Sequence, residues 1–562
     1  MAHTSSIFDA QPIRVQNVNG FDLSHLNAGT AKCGQLTPVL CRLLMQGTKF
    51  SLGCALNVEL PPLATSFFGK VDAHIEVFFV KCSILYGGWK QFISNNVSTS
   101  LTGPVSSVNP TLDAAGFELP YFTMNSAVVG VTQSLLSTND GLLDYMNFRY
   151  TGVDPGPVVK RFNILPLLAY HLIWDCFYRN PSVTRTIFAV NPNATGGSTY
   201  NQKNVSLIWH SFYLDDTSLP GFAGNFDTAA SVWNFPDGIS IWQMRQRNYP
   251  RDYFTSASVN PQQIGTNPSA VQFSVDLNTG DGEFTIASLR AANSLQKFLE
   301  ANNYSSRYDD IMRAHFGQTP SDADDNEPIY IGRLVVPVYQ KSVYNNSSPS
   351  VDSNNAIVNN SVNAFASYLG GKGSHGEFSG SGSITQGFTA GCFGYLIGLF
   401  SLVPHAMYSY GIDRHWRCVR VGDFPFPELQ SVGMDAIKNT EIYAQGALIT
   451  DGDFAYIPRY SWIKYVDDSV HGELRPGKSL ENFVLQRRFT SAPSFGTSFL
   501  EIPQNALDSV MAVPVSTSHF SCWYEVFWEF KAVMPLAAFC VPTLGELQDT
   551  HTIKVNQGGS RL

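Results

Sequence analysis

Near its C-terminal end the chain reads SCWYEVFWEFKAVMPL. Cys522, Tyr524, Val526, Trp528 and Phe530 fall on one face of an extended strand. Glu525, Glu529 and Lys531 share the other face with Trp523 and Phe527. A period of two argues for a strand rather than a helix. Aromatic residues on both faces predict a central strand covered on both sides by side chains. At the other end of the chain, VDAHIEVFFV alternates Asp72, His74 and Glu76 with Val71, Ala73, Ile75 and Val77, the spacing of a half-buried strand. FSLGCALNVEL just before it is a further strand, ended by Pro61 and Pro62. Strands at both ends, with other material between them, predict one β-barrel or sandwich carrying large excursions. The βαβ alternation of doubly wound nucleotide-binding folds is missing.

The intervening helices are isolated between loops. ILPLLAYHLIWDCFYRNPS has Pro166 near a first turn, Leu167, Tyr170, Trp174 and Phe177 at helical spacing, and Asn180-Pro181 as a stop. FTIASLRAANSLQKFLEANN repeats the pattern with Ile286, Leu289, Ala292, Leu295 and Leu299. RYDDIMRAHFG is a shorter helix with Gly317 as its C-terminal cap. Residues 183–240 and 340–390 are dense in Asn, Ser, Gly and Thr and read as loops.

Only 14% of the 562 residues are charged, against roughly 25% in an ordinary soluble domain, while aromatics reach 13%. A surface so poor in charge suits a subunit that covers much of itself with neighbours. The balance of 36 Lys and Arg against 45 Asp and Glu gives a net charge of −9, which argues against a surface that grips nucleic acid all over. A local basic face stays open. The nine cysteines contain no C-x-x-C pair, and most lie in apolar runs, as buried free thiols do. The start MAHTSSIFDAQP has neither the basic residues nor the apolar core of a signal peptide, and CFGYLIGLFSLVP is too short to span a bilayer. A chain made in the cytosol and not inserted in a membrane is the expectation.

One short match invites an enzymatic reading. GELRPGKS, from Gly472 to Ser479, fits the phosphate-binding pattern G-x-x-x-x-G-K-[ST]. Its context is wrong for that chemistry. YVDDSVH before it is no buried apolar strand, Pro476 removes a backbone donor, and no apolar run ending in Asp follows to hold magnesium. The expectation is an exposed turn. The sequence also lacks G-x-S-x-G and H-E-x-x-H, and SDADDNEP has neither the Gly nor the distant Glu of a calcium loop. No catalytic, cofactor-binding or metal-ligating set is assigned.

The basic residues are grouped instead. RQRNYPRDYF gathers Arg245, Arg247 and Arg251 with Tyr249, Tyr253 and Phe254. DRHWRCVR holds Arg414, Arg417 and Arg420 around Trp416, and QRRF supplies Arg487 and Arg488. Arginine interleaved with aromatics can hold single-stranded nucleic acid by phosphate pairing and base stacking. The same pattern serves intersubunit or intrachain contacts equally well. These eight arginines are candidates for DNA or subunit contacts.

Longer segments carry a resemblance. FDLSHLNAGTAKCGQLTPVL, NILPLLAYHLIWDCFYRN, RNYPRDYFTSA, IASLRAANSLQKFLEANNYSSRYDDIMRAHFG, EIYAQG and FAYIPRYSWIKYVDDSVHGELRP occur in this order. Together they resemble the major capsid protein of microviruses, the small icosahedral single-stranded DNA bacteriophages, and most closely the gokushovirus-like branch. The resemblance implies a mainly β fold, an eight-stranded antiparallel jelly-roll β-barrel with long loop and helix insertions. On that reading residues 1–562 form a single domain whose barrel strands are dispersed from about 50–82 to about 520–533. Insertions then occupy about 88–182, 183–284, 285–317 and 335–392. The implied function is self-assembly into a T = 1 icosahedral shell enclosing a circular single-stranded DNA genome. The implied partners are further copies of the chain, the genome, a small basic DNA-associated protein, pilot and assembly proteins, and a host surface receptor, for which a glycan is one candidate. The implied location is the virion, with assembly in the bacterial cytoplasm. Relatives in this branch often carry a long insertion after DYFTSA. Here only residues 258–284 separate that segment from the next helix, so a short or absent protrusion is expected, with outward decoration moved to 183–240 or 340–390. Two readings from other classes remain beside it: a soluble jelly-roll carbohydrate-binding protein, and a P-loop nucleotide-binding protein.

Overall fold

The computed structural model describes principally residues 18–63, 67–86, 141–148, 160–184, 243–260, 308–317, 327–344, 372–430, 434–444 and 452–536. Two antiparallel sheets dominate them and face each other as a β-sandwich. One sheet is six-stranded. Its backbone is the strand Cys522–Met534, hydrogen-bonded along one edge to Lys49–Glu59 and along the other to Asn19–Asp22 and His25–Ala31. Lys372–Thr389 and Tyr339–Tyr344 continue it outward from Lys49–Glu59. The other sheet has four strands in the order Ile329–Pro337, Val71–Lys81, Gly394–Pro404 and Thr37–Leu44.

The main core lies between the sheets. Leu52, Leu56 and Val58 from one sheet, with Tyr524, Val526, Trp528 and Phe530 beside them, meet Val71, Ala73, Ile75, Val77 and Phe79 from the other. Trp528 is fully buried, and its indole N–H donates to the Val39 carbonyl at 3.1 Å, a bond that crosses from one sheet to the other. Its ring needs a gap in the facing sheet, and Gly398 supplies it. A Cβ there would stand 3.0 Å from Leu40 and 3.3 Å from the Trp528 ring.

A second core covers the outer face of the four-stranded sheet. Asn163 Oδ1 accepts the Leu165 N–H at 2.9 Å and starts the helix Leu165–Ile173, which has Pro166 in its first turn. Trp174–Tyr178 continues as one wider π turn. Leu165, Leu168, Tyr170, Ile173 and Trp174 pack on Phe78, Val80, Ile397 and Leu399. A third, smaller core joins Tyr253, Phe254, Tyr408, Ile437, Ile442, Phe454, Ile457 and Phe499, around the hairpin Met434–Lys438 and Asp453–Pro458.

These cores exchange two of the expectations. Val71–Lys81 is buried on both faces, not half-buried, because the inserted helix lies over its outer side. Cys522–Met534 is covered on one face only and alternates buried and exposed along its length. Leu26, Trp523, Phe527 and Val533 stand exposed on the outer side of the six-stranded sheet. The helix at Tyr308–Phe316 ends as expected, with Gly317 at φ 69°. Residues 340–390, expected as loop within an insertion at 335–392, instead include the strands Tyr339–Tyr344 and Lys372–Thr389, because their backbones pair with each other and with Lys49–Glu59 and extend the six-stranded sheet. Most of the helix expected from Ile286 to Leu299 lies outside the described residues, as does most of 183–240 and 345–371. The eight cysteines described are all free, and burial pushes the Cys41, Cys54, Cys82 and Cys522 thiols up to about 12. Among the described residues no helix is long and apolar enough to cross a membrane.

Two outcomes follow from this packing. Trp528→Ala removes a fully buried indole and its bond between the sheets, and should destabilise the chain by about 3–5 kcal/mol in a denaturant titration; a change below about 1 kcal/mol would show that the sheets do not depend on it. At the edge of the third core, burial and then the neighbouring Asp252 charge raise the Asp467 carboxyl from 3.8 to about 7. Asp468 and Asp413 add to the rise, against a bond from the Tyr253 N–H. The folded chain holds this proton more tightly than the unfolded one, so its stabilising effect is present at low pH and lost as pH rises through about 7. Asp467→Asn should therefore be more stable than the wild type above that pH, with the gap closing towards the ordinary carboxylate range. A gap independent of pH would contradict the assignment.

Candidate functional site

The inserted helix, the segment that follows Met244 and the strand Val71–Lys81 meet at one edge of the four-stranded sheet. Tyr178, on the π turn, donates its hydroxyl to Glu76, and Arg247 pairs with the same carboxylate oxygen at 2.8 Å. The Arg247 guanidinium also donates to Ser401 Oγ at 3.1 Å and lies over the Tyr178 ring. Beside them burial, and next the Arg247 charge, push His74 down from 6.5 to about 4, so it is neutral at physiological pH. Burial opposes ionisation of Asp72, yet its bonds from Lys70 and His405, each 2.9 Å, hold its carboxyl below the usual range. This network is the floor of a cleft of about 1010 Å³, walled by residues 247–260, by Tyr330 and Arg333, and by residues 457–465.

The eight candidate arginines divide by environment. Arg245 is 1% exposed. Its Nε donates to His171 Nδ1 at 3.1 Å and its guanidinium stacks 4.5 Å from the Trp174 ring centroid, all within the chain. Arg487 is enclosed by the Phe499 and Tyr249 rings, at 4.0 and 4.4 Å, and donates to the Phe499 carbonyl. Arg247 belongs to the cleft floor. Arg414 donates to the Ala436 carbonyl at 2.9 Å and lies near Asp435 and Glu441. Arg417 bonds Thr440 Oγ1 at 3.2 Å. Arg488 pairs with Glu481 at 3.5 Å. Arg251 and Arg420 are exposed and make no ion pair among the described residues. The runs in sequence therefore come apart in space: Arg251 reaches the cleft mouth, and Arg420 projects from a separate surface loop.

Sequence reasoning missed two cations at the same cleft. Arg333, on the strand Ile329–Pro337, and Lys464, at the end of the short helix Ser461–Lys464, are exposed and likewise without an ion pair among the described residues. Neither lies in an Arg-rich run, so only the folded arrangement groups them with Arg251. The exposed rings of Tyr330 and Tyr465 accompany them. Three unpaired cations and two open aromatic rings around a neutral histidine form a surface suited to an anion with a planar group.

The GELRPGKS stretch is built for nothing of that kind. It is an exposed turn following one short 3-10 segment, Gly472–Leu474. The Gly477 N–H, which a phosphate cradle would need, donates to Glu481 Oε2 at 2.6 Å, and the Ser479 hydroxyl donates to Glu473 at 3.0 Å. Two carboxylates hold donors that a nucleotide would require, and they would repel its phosphates.

The family model described as capsid protein (F protein) matches residues 13–544. Capsid protein VP1 of Chlamydia phage 1 is 24% identical, with 96% of this chain and 97% of that protein aligned. Capsid protein VP1 of Bdellovibrio phage phiMH2K is 22% identical over 93% of this chain and 94% of its own. A match spanning both sheets and all three cores has one consequence: the chain belongs to the phage F capsid protein family and is a structural capsid protein of the virion.

Proposed function

We propose that the chain is the subunit of a T = 1 icosahedral shell that encloses a circular single-stranded DNA genome, its two sheets being those of an eight-stranded jelly roll with added edge strands. The sandwich would be one domain whose excursions, including 88–182, decorate a single barrel. The observation that carries the shell reading is the open outer face of the six-stranded sheet. An isolated chain would have to keep Leu26, Trp523, Phe527 and Val533 in water, whereas a shell offers copies or internal contents to cover them.

The cleft supports the nucleic-acid part of the reading. Arg251, Arg333 and Lys464 can each neutralise a phosphate, and Tyr330 and Tyr465 can each take a base face, without any demand for sequence. With a net charge of −9 the chain cannot balance a genome by itself, so a small basic DNA-associated protein belongs to the same reading. Pilot and assembly proteins and a host surface receptor complete the partners, and assembly takes place in the bacterial cytoplasm. No catalytic step is assigned.

The triple variant Arg251→Ala, Arg333→Ala, Lys464→Ala tests the cleft. Among the described residues none of the three makes an ion pair or a side-chain hydrogen bond, so particles should form normally but retain less DNA. Binding of a single-stranded oligonucleotide to the chain should lose about 2 from its logarithmic salt slope, about 0.7 for each phosphate contact removed. Unchanged DNA content and an unchanged slope would exclude the cleft as a DNA contact.

A further inference from the structure

The wall of the cleft that carries Lys464 and Tyr465 runs on into two acids, Asp467 and Asp468, and a neighbouring part of the wall carries Asp252 beside Arg251. Hydrogen bonds lock these acids together. The Tyr253 N–H donates to Asp467 Oδ1 at 3.3 Å, so Asp467 faces the peptide unit that follows Asp252. Tyr408 spans the two segments. Its N–H donates to the Asp468 carbonyl at 2.9 Å, and its hydroxyl donates to Asp252 Oδ2 at 2.8 Å. Asp252 Oδ1 accepts the Thr255 N–H at 2.7 Å. Donors thus hold both oxygens of Asp252, whereas Asp467 accepts one long bond among the described residues. Neither acid makes an ion pair among those residues.

The surroundings of Asp467 disfavour its charge. Burial acts first and Asp252 second, with exposed Asp468 and Asp413 adding repulsion against the Tyr253 bond. The arginines of neighbouring elements are engaged elsewhere: Arg487 donates to Tyr408 Oη at 3.3 Å and to the Phe499 carbonyl, and Arg414 serves Ala436, Asp435 and Glu441. Tyr253 gives its hydroxyl to Glu441. Two carboxylates around one peptide unit, with no cation between them, are most stable when one carries a proton. The field of the cluster reaches the cleft. After burial, the charges of Asp252, Asp467 and Asp468 push the Tyr465 hydroxyl up, and Tyr465 is one of the two rings open to a base. Lys464 immediately precedes it, on a segment that the Tyr253 and Tyr408 bonds hold in place. Loss of the proton therefore acts twice. It adds a negative charge behind the cationic mouth, and it sets two carboxylates repelling each other across the joint that positions Lys464. Both weaken the binding of an anion.

We propose that the Asp252–Asp467 pair is a proton-operated control on the cleft: with Asp467 protonated the cleft holds single-stranded DNA, and with both acids charged its hold weakens. The inference rests on the nucleic-acid reading of the cleft and gives that site its regulation. The test is binding of a labelled single-stranded oligonucleotide to the full chain, followed by fluorescence anisotropy at constant ionic strength on either side of the Asp467 midpoint at about 7. Asp467→Asn fixes the neutral state. His405→Gln controls for a second titratable group of the cleft floor, one that bonds Asp72 rather than the acid pair; His74 is neutral throughout the range. The wild type should lose about threefold in affinity as pH rises through the midpoint, the effect of one added charge near a largely solvated site. Asp467→Asn should keep the low-pH affinity on both sides, and His405→Gln should follow the wild type. A wild type that binds equally on both sides, or an Asp467→Asn variant that weakens in step with it, would overturn the control and leave the DNA reading standing. A dependence lost only in His405→Gln would assign it to that histidine, with the same consequence. Absence of binding by all three chains at every pH would overturn the control together with the DNA reading.

Discussion

The strand Cys522–Met534 is bonded along both edges by segments from the opposite end of the chain, and the rest of the architecture depends on that pairing. Its register with Lys49–Glu59 runs from Trp523 opposite Glu59 to Val533 opposite Lys49, and its other edge is shared by Asn19–Asp22 and His25–Ala31. Roughly 460 residues separate the paired strands, so the loop-closure cost is settled only once the core between the sheets is formed. Trp528 fixes the outcome. Its ring fills the space left by Gly398, and its N–H reaches Val39 on the opposing sheet. Everything between the two ends is thereby free to leave the sandwich and return, which is how the two sheets carry so much additional chain.

The two sheets then meet different fates on their outer sides. The four-stranded sheet is covered by the helix Leu165–Ile173 and its π turn, and at the edge of this cover the Tyr178–Glu76–Arg247 network is assembled. The wider turn is what brings Trp174 under Arg245 and Tyr178 onto Glu76. The six-stranded sheet has no such cover within the described residues. A chain that places an insertion over one sheet and leaves the other uncovered among the described residues is organised to be covered from outside. Low surface charge is the compositional counterpart of that organisation.

Much of this was legible in the sequence because it is local. The period of two at 522–534 and 71–81, the Pro-started helix and the Gly317 cap are all written in neighbouring residues. What covers a strand is not local, and the two strands were accordingly assigned each other's burial. The arginine clusters failed to stay together for a related reason. Arginine among aromatics is the same signal whether the rings stack on a ligand or on the chain's own guanidinium groups, and Arg245 and Arg487 use it for the latter. Arg333 and Lys464 lie in no basic run, so tertiary structure alone brings them beside Arg251.

The central claim is that this chain is complete only among copies of itself. Electron microscopy of the expressed chain, alone and with the phage's other structural proteins, tests it most directly. The account predicts uniform closed particles of T = 1 geometry in at least one preparation, with the open sheet face of each subunit in contact. Stable monomers in every preparation, soluble with that face bare, would contradict it.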